Sequence, residues 1–382
     1  MIVSVPRETA AGEARVGLVP ELVGRLAKAG ATVVIEPGAG ERAGFPDDSY
    51  AAAGASLEPD PAVLWGRADA VLKVREPSDA EVERLRPGAI LLGLLRPAER
   101  SELLSRLSAR GVTAFALERV PRTSRAQKMD ALSAMSTVAG YKAVLVAAAR
   151  LPRFLPLLMT AAGTIPPARV FVLGAGVAGL SAIATARRLG AVVEAFDIRP
   201  AVREEVESLG ATFVAPEAGA GAGAGAAAAP ASSVAGAGGS GAYASELAEE
   251  ERRRVQEALA VHLVAADVVI TTALVPGRPA PLLVPEDVVR RMKPGAVVID
   301  MAAEAGGNCA FTRPDEETTV GGVTILGPTN LAATMPGDAS RMYARTLMAL
   351  FLHLVKDGVI APDFDDDIVA GSVVARPAGA PA

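Results

Sequence analysis

The chain is predicted to be an α/β protein with two doubly wound parallel sheets, in two domains joined by long crossing helices. Three observations support this. At 382 residues and 51% hydrophobic content, it is long enough for two domains of ordinary size, each with its own core. Short apolar runs alternate with helical stretches along both halves, the pattern of parallel strands flanked by helices. Two long helical stretches, residues 133–151 and 336–356, are placed to carry the chain from one domain to the other and back. The first domain is therefore expected to be discontinuous, residues 1–132 plus 328–382, with the second over 133–327.

In the first half the strand candidates are residues 2–5, 31–36, 69–74, 89–93 and 112–116. No glycine-rich fingerprint accompanies them. The second half begins with RVFVLGAGVAGLSAIATARRLGAVVEAFDIR, residues 169–199, which reads as strand, glycine turn, helix and strand. Gly174, Gly176 and Gly179 form GxGxxG between the strand at 169–173 and the helix at 180–189, in the context that makes this motif a dinucleotide fingerprint. Gly174 permits the tight turn, Gly176 lets the backbone approach a pyrophosphate, and Gly179 lets helix and strand pack closely. Unpaired amides at the helix start face the phosphates. Asp197 follows Gly179 by 18 residues, where a carboxylate can accept from the adenosine ribose hydroxyls, which favours NAD over NADP. Arg199 works against that preference, since an arginine can pair with a 2′-phosphate.

Further strand candidates at 211–214, 267–271, 296–301 and 323–326 bring the second sheet to six, the number in a full Rossmann-like fold. Residues 218–242 are Ala, Gly and Ser except for Pro230 and Val234. Composition alone leaves them as a mobile loop or a passive linker, and their place inside the nucleotide-binding domain allows an active-site lid. Tyr243 is the first aromatic after them. Two loops follow strands of this sheet: TTALVPGRPAP at 271–281, with Thr272, Ala273 and Leu274, and EAGGNC at 304–309. Both fall at the carboxyl ends of strands, where ligands of open sheets bind. Gly306 and Gly307 allow close approach, and Asn308 offers an amide.

The segment PRTSRAQKMDALSAMSTVAGY, residues 121–141, gathers Arg122, Ser124, Arg125, Gln127, Asp130 and Ser133 at spacings that no amphipathic face explains. One reading is a solvated helix start capped by Asp130 or Ser133. The other is a loop that holds a nicotinamide carboxamide through paired donors and acceptors.

Composition excludes several classes. A formal net charge of −5, without basic clusters backed by aromatic residues, argues against nucleic-acid binding. The single cysteine, Cys309, cannot form an intrachain disulfide, and the chain starts on a strand-like MIVSV without a signal peptide, as expected for a reducing cytosol. The most apolar runs, such as residues 346–355, fall short of the ~20 residues that span a bilayer. His262 and His353 lie in apolar helical runs and are expected to be packed or surface-facing. No HExxH, paired CxxC or carboxylate cluster supports a metal site, and no GxSxG supports acyl transfer. An enzyme that oxidises an alcohol or amine needs a general base, and no candidate stands out. Hydride passing directly between two nicotinamides has no such requirement, and a site of positioning groups suits it.

These stretches together resemble the NAD-binding component, domain I, of proton-translocating NAD(P) transhydrogenase. PRTSRAQKMDALS, MTAAGTIPPARVFVLGAGVAGLSAIATARRLGA, TTALVPGRPAP and EAGGNC carry the resemblance, which runs from PRE near the N-terminus to FDDDIVAG. It implies that Arg122, Gln127, Asp130 and Ser133 orient the nicotinamide and face the partner. It also implies that NAD(H) is held by Gly174, Ala175, Gly176, Val177, Ala178 and Gly179, by Asp197, Ile198 and Arg199, and by Thr272, Ala273, Leu274, Gly307 and Asn308. Tyr243 then belongs to a mobile loop that closes on bound nucleotide. The implied activity is Re/Si-specific hydride transfer to or from NADP(H) on a partner subunit, coupled to proton movement by a transmembrane subunit. The implied assembly is a homodimer, peripheral on the cytoplasmic face of the inner membrane and attached through its partners alone. Alanine dehydrogenase shares the fold and is the alternative. Its family uses a lysine in a KEP motif and a histidine after the next strand; this chain has Arg75 in VREP and Leu94 in LLGLLRP, while Arg15 is common to both groups. A non-catalytic NAD-binding regulatory subunit is the third reading.

Overall fold

The computed structural model describes residues 1–215, 255–274 and 279–377. From its start the chain lays down six short strands: β1 (Ile2–Val5), β2 (Thr32–Ile35), β3 (Ser56–Leu57), β4 (Ala70–Leu72), β5 (Ile90–Gly93) and β6 (Thr113–Ala116), all paired in parallel. β4 and β5 are buried at every position, as expected of parallel strands covered on both faces. The helices between them begin on sequence signals. Asp60 accepts from the amide of Ala62 ahead of Pro61–Gly66, and Ser78 with Glu81 forms a capping box at Asp79–Arg84.

The helix Ala131–Arg150 follows. Its 20 residues are long and apolar enough to cross a membrane by composition, which is hard to see in the sequence because Lys142 interrupts the run. In the fold the helix presents Ala131, Met135 and Val138 to one core, and Ala143, Val144 and Ala147 are also buried. A hairpin, β7 (Leu158–Thr160) and β8 (Gly163–Ile165), precedes the second sheet. That sheet comprises β9 (Arg169–Leu173), β10 (Val192–Phe196), β11 (Thr212–Phe213), β12 (Val268–Thr271), β13 (Val297–Asp300), β14 (Glu317–Val320) and β15 (Val323–Leu326). Its order is β11-β10-β9-β12-β13-β15-β14. The six expected strands thus stand in the 3-2-1-4-5-6 order of a doubly wound fold, and β14 adds an antiparallel seventh at the edge.

The helix Pro336–His353 then supplies Ala339, Tyr343, Ala344, Leu347, Leu350 and Phe351 to the first core. After it come a short hairpin, β16 (Val355–Lys356) and β17 (Val359–Ile360), and the strand β18 (Val373–Ala375), which pairs antiparallel with β6. The first sheet therefore reads β18-β6-β5-β4-β1-β2-β3, the same topology with its own antiparallel seventh strand.

Two compact units result: Met1–Lys142 with Asn330–Ala382, and Ala143–Thr329. Ala131–Arg150 carries the chain from the first to the second. The return is complete at Asn330, so Pro336–His353 serves as core of the first unit and does not itself cross.

Candidate nucleotide-binding site

β9 ends at Leu173 and the chain turns sharply at Gly174, whose φ of +100° lies in the left-handed region that a side chain resists. Space imposes the same choice: a Cβ on Gly174 would stand 2.5 Å from Thr272 Oγ1, and one on Gly179 would stand 1.9 Å from the carbonyl oxygen of Gly174. Gly179 is therefore a packing glycine. Gly176 differs, because a Cβ there would meet nothing within 4 Å. It precedes the helix Val177–Arg188, and no side chain caps that helix. Ala175 is buried, Ala178 half-buried and Val177 exposed. Open space beside uncapped helix amides is what a pyrophosphate requires.

Asp197 follows β10. Its Oδ2 accepts from the amide of Ala175 at 2.8 Å, tying β10 to the glycine turn, and its Oδ1 accepts from the amide of Arg199 at 2.9 Å. The Arg199 guanidinium grips both oxygens. Burial pushes the Asp197 carboxyl up, but the Arg199 side chain and the amides of Ala175 and Arg199 outweigh it and hold the group below the usual carboxylate range. Ile198, between them, is 84% exposed.

Across the switch point, Thr272 Oγ1 donates to the carbonyl of Gly174 at 3.1 Å. Ala273 follows half-buried and Leu274 exposed. Asn308 has no exposed surface. Its Oδ1 accepts from the amide of Ala273 at 3.2 Å, and its Nδ2 donates to the carbonyls of Ala273 and Pro281 at 3.0 and 2.8 Å. The amide expected to offer itself to a ligand is thus taken up internally, bridging two loops. Gly307 has a φ of +85°, and the groups it allows to approach are Asp300 Oδ2 and Thr312, each 2.9 Å from where its Cβ would be. Asp300, at the end of β13, is a residue that sequence reasoning missed. Its signal was present: a charged residue closing an apolar strand just before a glycine pair.

In the first unit, Asp130 caps the helix Ala131–Arg150, its Oδ1 accepting from the Ser133 amide at 2.8 Å and its Oδ2 from the Ser133 hydroxyl at 2.6 Å. Of the two candidate caps, Asp130 is the one that caps, and Ser133, inside the helix, donates to it twice. Arg122 and Gln127 are exposed. Arg125 pairs with Asp366, and with Asp367 at 2.8 Å, fixing the segment to the start of the helix Asp367–Ser372. Tyr243 and residues 218–242 lie outside the described residues.

The groups that would serve an amino-acid dehydrogenase are otherwise engaged. Arg75 stands beside Glu76 at 3.5 Å, and Leu94 is half-buried against the core. Lys73 is enclosed between Glu81 at 3.1 Å and Glu8 at 3.5 Å. Arg15 is buried in a two-point pair with Glu13, Nε at 2.7 Å and Nη2 at 2.5 Å. His262 contacts Glu194 at 3.0 Å and His353 contacts Asp366 at 3.1 Å. No group of His, Cys, Asp and Glu able to hold a metal occurs among the described residues.

The alanine dehydrogenase/PNT N-terminal domain matches residues 4–139, and the alanine dehydrogenase/PNT C-terminal domain matches residues 143–379. The chain is 47% identical to the NAD(P) transhydrogenase subunit alpha of Cereibacter sphaeroides, over 98% of this chain and 70% of the relative. It is 43% identical to an NAD(P) transhydrogenase subunit alpha chain of Rhodospirillum rubrum, over 98% and 96%. The crystal structure of a transhydrogenase from Sinorhizobium meliloti superposes with a TM-score of 0.87 at 41% identity, covering 98% of this chain and 99% of that one. Two domain matches spanning nearly the whole length, and relatives at this identity, leave one assignment: the chain belongs to the alanine dehydrogenase/PNT family.

Proposed function

We propose that this chain is the NAD(H)-binding subunit of an NAD(P) transhydrogenase, Re/Si-specific and proton-translocating. It works with an NADP(H)-binding subunit and a transmembrane subunit that couples transfer to proton movement. The observation that carries the reading is a turn fitted to a dinucleotide in a chain where two working groups of the alanine dehydrogenase family are replaced. Gly174, Gly176 and Gly179 leave helix amides uncapped beside open space, while Arg75 and Leu94 replace the alanine dehydrogenase lysine and histidine. A guanidinium does not give up its proton, and Leu94 has none to exchange. NAD(H), when bound, supplies a hydride that passes directly to or from NADP(H) on the partner.

On this reading the chain binds, orients and excludes. The helix-start amides from Gly176 to Gly179 hold the pyrophosphate, with the Ala175 amide bonded to Asp197, and Asp197 receives the adenosine ribose hydroxyls with Arg199 and Ile198 beside it. The backbone at Thr272, Ala273, Leu274 and Gly307 lies against the nicotinamide half, with Asn308 holding that backbone in place. Arg122, Gln127, Asp130 and Ser133 orient the nicotinamide, and Tyr243 closes over the nucleotide. The working form is a homodimer on the cytoplasmic face of the inner membrane, attached through its partners. The test is reconstitution with the NADP(H)-binding subunit: rapid NADH-dependent reduction of an NADP analogue is expected. NADH binding without any transfer would leave a regulatory subunit instead.

A further inference from the structure

We propose that Asp300 is the positioning residue of this site. It sets the two loops beside the nicotinamide half of the nucleotide, residues 272–274 and 302–312, and so governs transfer more than affinity. The inference rests on the functional reading above and deepens it. In an open doubly wound sheet the ligand crosses the switch point at the carboxyl ends of the strands, here between β9 and β12. Asp197, at the end of β10, marks the adenosine side. β12 and β13 therefore mark the other, and Asp300 is the last residue of β13.

Its side chain is fully buried and takes five donors. Oδ1 accepts from Thr271 Oγ1 at 2.7 Å and from the Ala302 amide at 3.0 Å. Oδ2 accepts from the amides of Asn308 and Cys309 at 2.7 and 3.0 Å and from Thr312 Oγ1 at 2.6 Å. Every contact is one in which the carboxylate accepts, and burying such a group is costly unless its lone pairs are met. Because the Asn308 backbone is held here, its side chain reaches Ala273 on the neighbouring loop. Thr271 leads into Thr272, which holds the carbonyl of Gly174. Asp300 thus bonds directly to Thr271 and to the 302–312 loop, and reaches residues 272–274 and the glycine turn through the side chains of Asn308 and Thr272.

The test uses the full chain with its NADP(H)-binding subunit and three variants: Asp300→Asn, Thr312→Val and Thr312→Ser. Readouts are single-turnover transfer, NADH titration and the rate of maleimide reaction at Cys309, which is buried within the same loop. Asp300→Asn turns an NH2 group toward the two donors at one oxygen or the three at the other, and Thr312→Val removes one donor from an otherwise intact site. Thr312→Val is expected to speed Cys309 labelling and to slow transfer about tenfold, as a displacement well under 1 Å does, while NADH affinity changes much less. Thr312→Ser should restore both. If transfer and affinity fall together, or if labelling accelerates with transfer unchanged, the positioning role is overturned. Failure of the unaltered chain to transfer, despite binding NADH, would instead overturn the functional reading. If Asp300→Asn does not fold, Thr312→Val against Thr312→Ser decides alone.

Discussion

The guanidinium of Arg199 grips the carboxylate of Asp197 at two points, Nε 2.9 Å from Oδ1 and Nη2 2.9 Å from Oδ2. The acid that accepts ribose hydroxyls in the proposed complex is therefore partly neutralised by a neighbour two residues on. NADH should bind more tightly than NADPH, and the two side chains should act on that preference in opposite directions. Asp197→Ser leaves Arg199 free to pair with a 2′-phosphate and should narrow the preference, while Arg199→Ala should widen it. Charge-assisted bonds contribute about 1.5–3 kcal/mol each, so each change should alter the affinity ratio roughly tenfold. Fluorescence titrations of both nucleotides read the ratio directly; a shift of the same sign in both variants would contradict the assignment.

Asp130 has two separable roles, and its variants should separate them. As the cap of Ala131–Arg150 it accepts from the amide of Ser133. Asn retains an acceptor for that bond, whereas Ala does not and should cost about 0.5–2 kcal/mol of stability. If the carboxylate also orients the nicotinamide, Asp130→Asn should impair transfer with little loss of stability. Arg122→Ala and Gln127→Asn should behave likewise, leaving NADH affinity comparatively intact. Thermal melts and single-turnover transfer on the same samples check this, and normal transfer in all three would reduce the segment to a helix start.

How far the sequence could be read is clearest in the second sheet. β9 and β15 lie on the expected residues, and β10 falls within its expected range, because each is a mostly apolar run with Gly, Pro or Asp close on either side. The edge strands were not legible. β14 is ETTV, alternately exposed and half-buried, and β18 pairs with β6 from more than 250 residues away, which no local pattern encodes. Within the site, Gly174, Gly179 and Gly307 were readable because positive φ or close packing admits almost nothing else there. Asn308 was readable as a polar residue on a loop that follows a strand, but not as turned inward, since that depends on the carbonyls of Ala273 and Pro281 meeting its amide in three dimensions. Asp300 was marked by its place at the end of an apolar strand, but its donors from residues 271, 302, 308, 309 and 312 meet it only in three dimensions.

The chain should not interconvert alanine and pyruvate with NAD. Arg75 and Leu94 stand in place of the two working groups, and Lys73, the nearest lysine, is enclosed by Glu8 and Glu81. Alanine-dependent NADH formation by purified protein measures this, and substantial turnover would favour the dehydrogenase reading. Leu94→His with Arg75→Lys need not create activity, because Arg15 is held by Glu13.

Stability should fall in acid through carboxylates such as Asp267. Burial raises its carboxyl, but the Arg169 amide, Lys293 and Arg153 outweigh burial and hold it below the usual range. A depressed carboxyl stabilises the fold above its ordinary pKa and loses that contribution as pH falls through the depressed value. Asp267→Asn should therefore lower stability at pH 7, by about 1–3 kcal/mol as donors lose their charged partner. The difference should shrink below about pH 4. Thermal melts across pH give the comparison, and a deficit that persists unchanged in acid would mean that the charge of Asp267 is not what stabilises.

On the proposed reading, hydride passes directly from NAD(H) on this chain to NADP on its partner. NADH carrying deuterium at the transferred C4 position, given to the full chain with its NADP(H)-binding subunit, tests it most directly. Direct transfer should give NADPH that carries the deuterium, without protium from water. NADPH carrying solvent protium, or no NADPH at all from a chain that binds NADH, would contradict it.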